Sequence, residues 1–421
     1  MRCSRRLPIG RQRTGMRRDR STSRIDETTD VAIVGGGICG LTAAIALERR
    51  GWEPTVYEAA TEYRPVGAGI LLQTNALLVL ERLGVADRVT ETGVPLDDSA
   101  IRSPDGRALK RFDLDRVERD EFGYGFVAIH RADLQEILLN ELDAPVRTDM
   151  ECEAVTDADR PTARFADGTQ ISPDVLVGAD GIRSAVRDAV VPAVEPRALD
   201  GVCYRAVVDV DLPERHRDRG LEVWGTGSYT GGAPLDDDRF YWFATVSEAT
   251  AADLDGPREV VAALRDRFDA FPEPIPPVVD ALAPDDVFAT GLADLPSLDR
   301  WSRGSVVLAG DAAHGMLPFA GQGAAQSIED ALALADAVDR CADPAAAFEA
   351  YEADRKPRAD GIRAESRRLG RLGTVQSPLG ARLRNAAVGL VPASLFCRFR
   401  RRRASRTTLP DAAVADGGSD A

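Results

Sequence analysis

Three glycine-containing segments have the residue types and spacing that could bind phosphate groups. The first holds Gly35, Gly37 and Gly40 in the pattern G-x-G-x-x-G, with Ile38 at the start of the next element. In this pattern one glycine permits a tight turn, the second lets a pyrophosphate approach the backbone, and the third lets helix and strand pack closely. Free N–H groups at the helix start then point at the phosphates. The segment therefore predicts a dinucleotide-binding turn.

The elements around this turn support the same interpretation. An apolar stretch at 31–34 predicts a buried strand, and apolar residues at helical spacing over 41–48 predict a helix. A second predicted strand ends at Glu58, which lies 18 residues after Gly40, where a carboxylate that binds ribose is expected. An ordinary glycine turn in a strand–helix–strand unit is the alternative, and the context disfavours it.

The other two segments repeat the order of apolar strand, glycine turn and helix. One contains Asp180 and Gly181, and the other contains Gly310 and Asp311. At a strand end, Asp311 could accept hydrogen bonds from sugar hydroxyl groups, and capping of the next turn is the alternative.

A long Ala-rich helix is predicted after the third turn. Its start includes Gly321, Gly323 and Ala324, shortly after Pro318. Backbone N–H groups at such a start form a site for developing negative charge.

Two arginines are further candidates for contact with an anion. Arg64 precedes a run of small residues that includes Gly69 and would let backbone lie against a flat ligand. A surface ion pair is the alternative for Arg64. Arg131 begins a predicted helix, where a cation is unfavourable unless an anion is nearby, so it is a candidate phosphate or ribose contact.

Charge is distributed unevenly along the 421 residues. The net charge is −15, whereas residues 1–24 carry +8 and residues 398–406 carry +6, so the remainder carries −29. Only Lys110 and Lys356 are lysines. An acidic, lysine-poor surface predicts adaptation to high salt, with a merely acidic protein as the alternative. It also argues against nucleic acid as a partner.

Other features of composition limit the class of protein. Six cysteines without paired spacing argue against a metal site or a disulfide framework and favour a cytoplasmic location. No apolar run is long enough for a transmembrane segment. Residues 1–28 predict a disordered basic arm, with Met16 as an alternative start. For the C-terminal segment 377–409, a solvated basic tail is favoured over an amphipathic helix on a membrane surface.

Taken together, the three turns resemble those of the single-component, FAD-dependent aromatic hydroxylases, the class A flavoprotein monooxygenases. The resemblance spans about residues 30–370. It implies an α/β fold in which a βαβ dinucleotide-binding, Rossmann-like FAD domain is interleaved with a mostly antiparallel β-sheet substrate domain. The predicted parts are an arm at 1–28, an FAD-binding domain at 29–73, 127–190 and 286–370, a substrate domain at 74–126 and 191–285, and a C-terminal helix with a basic and acidic tail at 371–421.

The resemblance also implies roles for individual residues. Gly35, Gly37 and Gly40 would hold the FAD pyrophosphate, and Glu58 the adenosine ribose. The other implied FAD contacts are Arg131, Asp180, Gly181, Gly310 and Asp311, with Pro318 and residues 321–324 lining the flavin ring.

The implied activity is a monooxygenase that uses NAD(P)H and O₂. It would hydroxylate or epoxidise a small aromatic or unsaturated substrate through a flavin C4a-hydroperoxide, chemistry that the cofactor carries. The alternatives are an FAD-dependent reductase of carbon–carbon double bonds and a non-catalytic FAD-binding protein. Strand-like aromatic segments within 200–247 predict the substrate pocket, with Tyr204, Arg205, Tyr229 and Tyr241 as candidates. Arg205, if it points inward, would pair with a carboxylate or phenolate, and with Pro318 it is a candidate catalytic residue.

Overall fold

The computed structural model describes residues 29–64, 67–113, 118–251, 254 and 256–405. The strands, numbered in chain order, are β1 (Val31–Val34), β2 (Pro54–Tyr57), β3 (Gly69–Leu72), β4 (Val94–Leu96), β5 (Asp98–Arg102), β6 (Ala108–Asp113), β7 (Phe126–His130), β8 (Val146–Arg147), β9 (Cys152–Thr156), β10 (Thr162–Phe165), β11 (Gln170–Ile171), β12 (Val175–Gly178), β13 (Arg197–Asp209), β14 (Arg219–Trp224), β15 (Ser228–Pro234), β16 (Arg239–Val246), β17 (Phe288–Asp294), β18 (Ser302–Arg303) and β19 (Val306–Leu308).

The helices are numbered in the same way. They are α1 (Ile38–Glu48), α2 (Thr74–Arg82), α3 (Ala86–Thr92), α4 (Asp120–Phe122), α5 (Arg131–Glu141), α6 (Arg187–Val190), α7 (Glu248–Ala251), α8 (Pro257–Phe268), α9 (Ile275–Asp280), α10 (Asp311–His314), α11 (Gly323–Arg340), α12 (Pro344–Gly373), α13 (Pro378–Leu390) and α14 (Ala393–Ser405). One further short helix that bears on the site is a 3₁₀ turn at Pro318–Ala320.

A six-stranded, mainly parallel sheet positions the glycine turns. Its strand order is β18-β19-β12-β1-β2-β8, and β1 pairs in parallel with both β12 and β2. Every residue of β1, β12 and β19 is buried, as expected for a parallel sheet covered on both faces. Because the carboxyl ends of parallel strands meet at one edge, the turns that follow β1, β12 and β19 lie side by side.

Helices α1 and α11 pack together over this sheet. Small side chains on α1 let the helices approach closely, since Ala43, Ala44 and Ala46 are all fully buried. The first turn of α1 and the N-terminal half of α11 therefore lie beside the same sheet edge as the glycine turns.

A seven-stranded sheet forms the second major part of the fold. Its order is β17-β13-β16-β15-β14-β5-β6, and its pairs are antiparallel except for β14 with β5. Trp242, Phe268 and Val279 belong to an apolar core on one face, where α8 and α9 pack. The opposite face is directed toward the glycine turns, and the three-stranded sheet β3-β7-β4 connects the two regions.

The α/β class with an interleaved antiparallel sheet is confirmed. Some segments, however, belong to the other part of the fold than the one predicted from the sequence. Strand β17, inside the predicted FAD-binding part, pairs with β13 in the seven-stranded sheet. Helices α2 and α3, inside the predicted substrate part, contribute to the core around the six-stranded sheet. The predicted arm at 1–28 lies outside the described residues.

Residues 393–405 belong to the segment for which the sequence favours a solvated basic tail. They form α14, in which Arg400 lies 2.7 Å from Glu118 in an ion pair whose side chains are largely buried. The Arg400 guanidinium also lies over the ring of Phe126, 4.8 Å from its centroid. A buried carboxylate more than 280 residues earlier holds this helix, and such a long-range partner leaves no local pattern in the sequence.

Candidate functional site

The turn between β1 and α1 leaves backbone amides available to a ligand. Gly35 has φ of +107°, which favours glycine, and a Cβ on Gly40 would overlap the Gly35 carbonyl oxygen, so helix and turn touch. No side chain among the described residues caps the start of α1 at Gly37, and a Cβ there would meet no described atom within 4 Å. Uncapped amides beside open space fit the phosphate cradle that the sequence predicts.

Glu58 lies next to this turn, at the end of β2. Its Oε2 accepts a hydrogen bond from the Gly36 backbone N–H at 2.6 Å, and its Oε1 accepts one from Ala60 N–H at 2.9 Å. The Tyr63 hydroxyl donates to the Gly36 carbonyl oxygen at 3.0 Å. These bonds fix the Glu58 carboxylate beside the glycine turn.

The turn after β12 packs directly on the first turn. A Cβ on Gly35 would overlap the Ala179 carbonyl oxygen, so the two backbones are in contact. Asp180 Oδ2 accepts from Val186 N–H at 3.2 Å, while its buried Oδ1 has no hydrogen-bond partner within the described chain. Burial raises the pKa of Asp180, and its unpartnered oxygen fits an acceptor for ligand hydroxyl groups. Gly181 follows with open space at its Cβ position.

The third turn joins the other two through α1. A Cβ on Gly310 would come within 2.9 Å of Cys39 Sγ, in the first turn of α1. Asp311 is exposed by surface area, yet desolvation by the surrounding protein raises its pKa, an effect that the charges of His314 and Arg131 oppose. A side chain that lines a deep, open cleft is accessible to solvent and is also surrounded by protein, which explains both the exposure and the raised pKa of Asp311. Such a cleft fits a bound cofactor.

A loop held from two sides precedes α11. Ala320 N–H donates to Ser366 Oγ at 3.1 Å, and Gln73 Nε2 donates to the carbonyl oxygens of Ala320 and Gly321 at 3.1 and 3.2 Å. Pro318 and Gly321 are exposed although their neighbours in the loop are buried. The exposed residues therefore face an opening that a fixed backbone surrounds.

The N-terminus of α11 faces the same opening. The helix begins at Gly323, followed by half-buried Ala324, and a Cβ on Gly323 would meet no described atom within 4 Å. No described side chain caps the first turn, and that turn holds no acidic residue. An 18-residue helix then directs its partial positive charge at the opening.

A buried polar network supports this loop from below. Asp330 accepts from Gly310 N–H at 2.9 Å, from His314 Nε2 at 2.5 Å and from Arg355 Nε at 2.8 Å. Burial alone would raise the pKa of Asp330, but His314 and Arg355 hold it at about 2. The other polar members are Asn75, Gln322, Gln326, Glu329 and Arg358. Because His314 is fully buried in this network, it contacts Asp330 rather than the opening.

Arg131 begins α5 and Gly69 begins β3, and the segments that hold them are in contact. Arg131 is exposed, and its backbone N–H donates to the Ala68 carbonyl oxygen at 3.1 Å. Gly69 is buried against the ring of Tyr241, with which any Cβ would overlap. The segment before β3 thus connects the candidate cofactor cleft to the seven-stranded sheet.

Arg64 is the predicted site residue that lies apart from the others. Its Nε donates to Glu62 at 2.8 Å, and both side chains are about two-thirds exposed. This is the surface ion pair that the sequence left open as the alternative, and the phosphate contact of Arg64 stays a prediction.

The inner face of the seven-stranded sheet carries three of the predicted pocket residues. In its register Arg205 pairs with Phe243, Val207 with Tyr241, and Thr245 with Tyr229, which places these side chains on one face. Arg205 is half-buried and lies close enough to Tyr241 for its charge to lower the pKa of that hydroxyl, against the larger effect of burial. Tyr204 points the other way, into the core beneath α8 and α9, so it does not line this face.

Sequence reasoning missed Glu222, a carboxylate on the same face. Its Oε2 accepts from Trp224 Nε1 at 3.1 Å, and, in addition to burial, its charge helps to raise the pKa of the nearby Tyr229 hydroxyl. The surrounding protein raises the pKa of Glu222, although its side chain is only half-buried. The pKa of Asp311 is likewise raised although that side chain is exposed. Phe319 from the loop packs on Tyr229, with ring centroids 5.4 Å apart. The signal that could have found Glu222 is a lone acid inside the otherwise apolar run at 220–224.

Comparison with known proteins identifies a matching family and similar enzymes. The model of the FAD binding domain family matches residues 28–366. The chain is 36% identical over 345 residues to aurachin C monooxygenase/isomerase of Stigmatella aurantiaca, covering 82% of this chain and 89% of that protein. It is also 36% identical over 353 residues to 3-amino-4-hydroxybenzoate 2-monooxygenase of Streptomyces platensis, covering 81% and 87%.

A solved structure with the same architecture contains a flavin. The crystal structure of Klebsiella pneumoniae HpxO complexed with FAD and uric acid superposes with a TM-score of 0.80 and 27% identity, over 90% of this chain and 98% of that one. Among the described helices of the present chain, none is long and apolar enough to cross a membrane.

Proposed function

The chain belongs to the FAD binding domain family, as an FAD-dependent monooxygenase of the aromatic hydroxylase type, and from that premise we propose how its residues hold cofactor and substrate. The observation that carries the proposal is that three glycine turns, which follow β1, β12 and β19, meet at one edge of the parallel sheet, where the first two are in contact and the third contacts the first turn of α1. One extended ligand can therefore use all three.

The first turn holds the pyrophosphate. Gly35, Gly37, Ile38 and Gly40 supply backbone amides and the close approach that a diphosphate needs, and the uncapped start of α1 supports this role. Glu58, fixed beside the turn by two backbone N–H groups, binds the adenosine ribose.

The second and third turns hold the sugar-like middle of the cofactor. Asp180, with its unpartnered Oδ1, and Gly181 come from the second turn, and Gly310 and Asp311 come from the third. Carboxylates accept hydrogen bonds from hydroxyl groups, which the ribityl and ribose parts of FAD supply. Arg131, close enough to Asp311 to lower its pKa, neutralises charge in the same cleft.

The flavin ring lies at the loop before α11. Pro318, Gly321, Gly323 and Ala324 line this opening, and the N-terminal amides of α11 stabilise negative charge that develops on the ring. Bound FAD supplies the redox chemistry, in which NAD(P)H provides the electrons and O₂ provides one oxygen atom for the substrate and one for water. Phe319 and Tyr229 pack between this loop and the sheet, and so exclude water.

The substrate lies against the inner face of the seven-stranded sheet. Arg205 and Glu222 occupy one row across strands β13, β16, β15 and β14, with Phe243 and Gly231 between them. Three strand spacings separate their backbones, about 14 Å. A cationic donor at one end and a carboxylate at the other suit a small ring compound that carries both an acceptor and a donor. Uric acid and 3-amino-4-hydroxybenzoate, which occur in the names of similar proteins, are compounds of this kind.

A substrate screen tests this function. Purified protein loaded with FAD is mixed with NADH or NADPH and with phenols, aminohydroxybenzoates, purines or isoprenoids, and oxidation of the nicotinamide is followed. We expect a ring substrate with both donor and acceptor groups to accelerate that oxidation and to yield a product that contains ¹⁸O after turnover under ¹⁸O₂.

Two outcomes would contradict the proposal. Turnover that continues without O₂ and saturates a double bond would identify a reductase instead. A protein that holds FAD but never accepts electrons from NAD(P)H with any compound of the panel would be a non-catalytic FAD-binding protein.

A further inference from the structure

Helix α13 presents its apolar residues to solvent. Leu379, Leu383 and Leu390 are exposed by 66%, 64% and 82%, and they share one helical face with exposed Ala386 and Ala387. The spacing of three, four and seven residues is that of a stripe which a helix normally buries against its own protein. Here the stripe points away from it.

Polar bonds fix α13 in this orientation. Arg384, which is 6% exposed, points inward and donates to the carbonyl oxygens of Leu372, Gly373, Trp224 and Gly225 at distances of 2.8 to 3.1 Å. Its guanidinium also lies 5.5 Å from the ring centroid of Trp224. A rotation that buried the leucines would break all of these contacts, so the outward apolar stripe is built into the fold.

Helix α14 begins three residues after α13 ends and also exposes large apolar side chains. Leu395 and Phe399 are exposed by 57% and 47%. They lie at helical spacing with exposed Arg398 and Arg402. The opposite side of the helix is held to the protein, where Arg403 pairs with Glu365 at 2.7 Å in addition to the Arg400 ion pair. The outward side of α14 is therefore also apolar and basic.

We group these outward side chains of α13 and α14 under the name C-terminal apolar face. Its members are Leu379, Leu383, Leu390, Leu395 and Phe399, together with the arginines Arg382, Arg398 and Arg402. Among the large apolar side chains exposed in the described residues, those outside this face are Phe288 and Leu372. Apolar exposure is thus concentrated in two consecutive helices, as at interaction sites.

The charge of this face differs from that of the whole molecule. The chain contains 68 acidic residues, yet none lies between 366 and 410. Bulky apolar side chains between arginines, with no acid nearby, are the composition of helices that lie in the interface of a bilayer. Anionic lipid headgroups attract the arginines, and the acyl region accepts the leucines and Phe399.

We propose that the C-terminal apolar face docks on the surface of an anionic lipid bilayer. A second copy of the chain fits less well, because pairing of two such faces would bring arginines together without a carboxylate. The face could also pair with an acidic surface elsewhere on a second copy, but such a surface would have to supply apolar side chains as well. Outside the C-terminal apolar face, the large apolar side chains exposed among the described residues are those of Phe288 and Leu372.

The two attractive contributions depend differently on salt. Attraction between arginines and headgroups is screened within about 3 Å at 1 M salt, compared with about 10 Å at 0.1 M. Burial of the leucines is not weakened by screening. We therefore expect binding in dilute salt to depend on both groups of residues, and binding in concentrated salt to depend mainly on the apolar ones.

Vesicle flotation of the full chain tests the proposal. Vesicles of phosphatidylcholine alone and with phosphatidylglycerol are compared in dilute and concentrated KCl. The wild-type protein should bind the anionic vesicles more strongly in dilute salt. The triple change Leu379→Ser, Leu383→Ser and Leu390→Ser should weaken binding by about tenfold or more in both salts. The control Phe288→Ser removes an exposed aromatic ring elsewhere and should leave binding unchanged.

Charge variants separate the basic contribution. Arg382→Gln, Arg398→Gln and Arg402→Gln together should abolish the preference for anionic vesicles, whereas Arg258→Gln, Arg300→Gln and Arg303→Gln change net charge equally and should preserve it. Equal FAD content in all variants verifies that they fold.

Four results would overturn the proposal. They are no vesicle binding by the full chain, binding that the leucine changes leave intact, a dimer in light scattering that those changes convert to a monomer, or binding that occurs only when residues 406–421 are removed. The last would mean that the chain's own C-terminus covers the face.

Discussion

Asp311 is placed where the cleft is both deep and open. Its carboxyl is accessible although the surrounding protein raises its pKa, and it follows the strand β19 that aligns the third turn with the other two. Replacement by Ala removes an acceptor without adding bulk. A hydrogen bond to a charged group contributes about 1.5–3 kcal/mol, so we expect Asp311→Ala to weaken FAD binding by about ten- to a hundredfold.

Absorbance of the purified variant at the flavin maximum, with titration of apoprotein by FAD, measures this effect. Asp311→Asn keeps the shape and part of the hydrogen bonding, and should lose less affinity. Asp299→Ala, an exposed aspartate nearby in sequence, is the matched control. Full occupancy of Asp311→Ala would remove Asp311 from the proposed cofactor contacts.

Glu222 permits a prediction on pH dependence. Burial raises its pKa above 4.5, so the carboxyl is neutral to a higher pH than an exposed glutamate and ionises as the pH rises through the elevated value. If the ionised form accepts a hydrogen bond from the substrate, kcat/KM falls on the acid side of that pKa. Glu222→Gln should remove this acid limb and lower kcat/KM by about tenfold for substrates with a ring donor, equivalent to ~1.4 kcal/mol.

A pH profile of kcat/KM for wild type and variant measures the change. Glu214→Gln, at an exposed acid on the same half of the chain, should retain the wild-type profile. An unchanged acid limb in Glu222→Gln would show that another group titrates there.

At the level of elements, α11 and α12 are joined through buried charges. Asp330 accepts from Gly310 N–H, His314 and Arg355, and so fixes the third glycine turn to both helices. Asp330→Asn would remove one of the negative charges that compensate the buried Arg355 guanidinium. Loss of one partner of such a buried ion pair costs about 3–5 kcal/mol. We expect the free energy of unfolding to fall by about that amount, with reduced FAD content.

The same residue predicts an acid transition. The pKa of Asp330 is lowered from 3.8 to about 2, so its contribution to stability is fully present above pH 3.8 and is lost as the pH falls toward 2. Urea unfolding at pH 7 and at pH 3 measures both effects, and Asp354→Asn on the exposed side of α12 is the control. Equal stability of Asp330→Asn and wild type at pH 7 would exclude a supporting role for the network.

Elements whose pattern is local could be predicted from the sequence. The glycine turn with its strand and helix, and the helix predicted from Ala324 and observed at Gly323–Arg340, are specified by neighbouring residues. The side to which Tyr204 and Arg205 point could not be predicted, because a shift of one residue in register exchanges the two faces. The sheet pairing observed between β13 and β16 settles it.

Pairing between segments that are distant in the chain could not be predicted from the sequence either. Strand β5 lies parallel to β14, more than 110 residues later, and Glu222 gains its place in the site through this pairing and that of β14 with β15. Helix α14 depends on Glu118 for its ion pair. Basic residues without a visible partner in the sequence suggested a solvated tail, and the partner exists only in three dimensions.

At the scale of the whole molecule, the charge distribution predicts a response to salt. A net charge of −15, with −29 outside the two basic ends, disfavours the compact state through repulsion between acids. The screening length falls from about 30 Å at 0.01 M to about 3 Å at 1 M, so added salt relieves this repulsion. We therefore expect the melting temperature to rise with KCl concentration, and refolding to be less complete after dialysis into dilute buffer.

Matched charge variants distinguish repulsion from a general effect of salt on apolar burial. Glu53, Glu91, Asp285, Asp299 and Asp354 are exposed, and their replacement by the corresponding amides would reduce the net charge from −15 to −10. That variant should be more stable than wild type in dilute salt, and its melting temperature should depend less on KCl. The variant with Gln at the three arginines 258, 300 and 303 has a net charge of −18 and should depend on KCl more steeply. Parallel curves for all three proteins would mean that surface repulsion does not set the salt response, and the hypothesis of a salt-adapted protein would lose its physical basis.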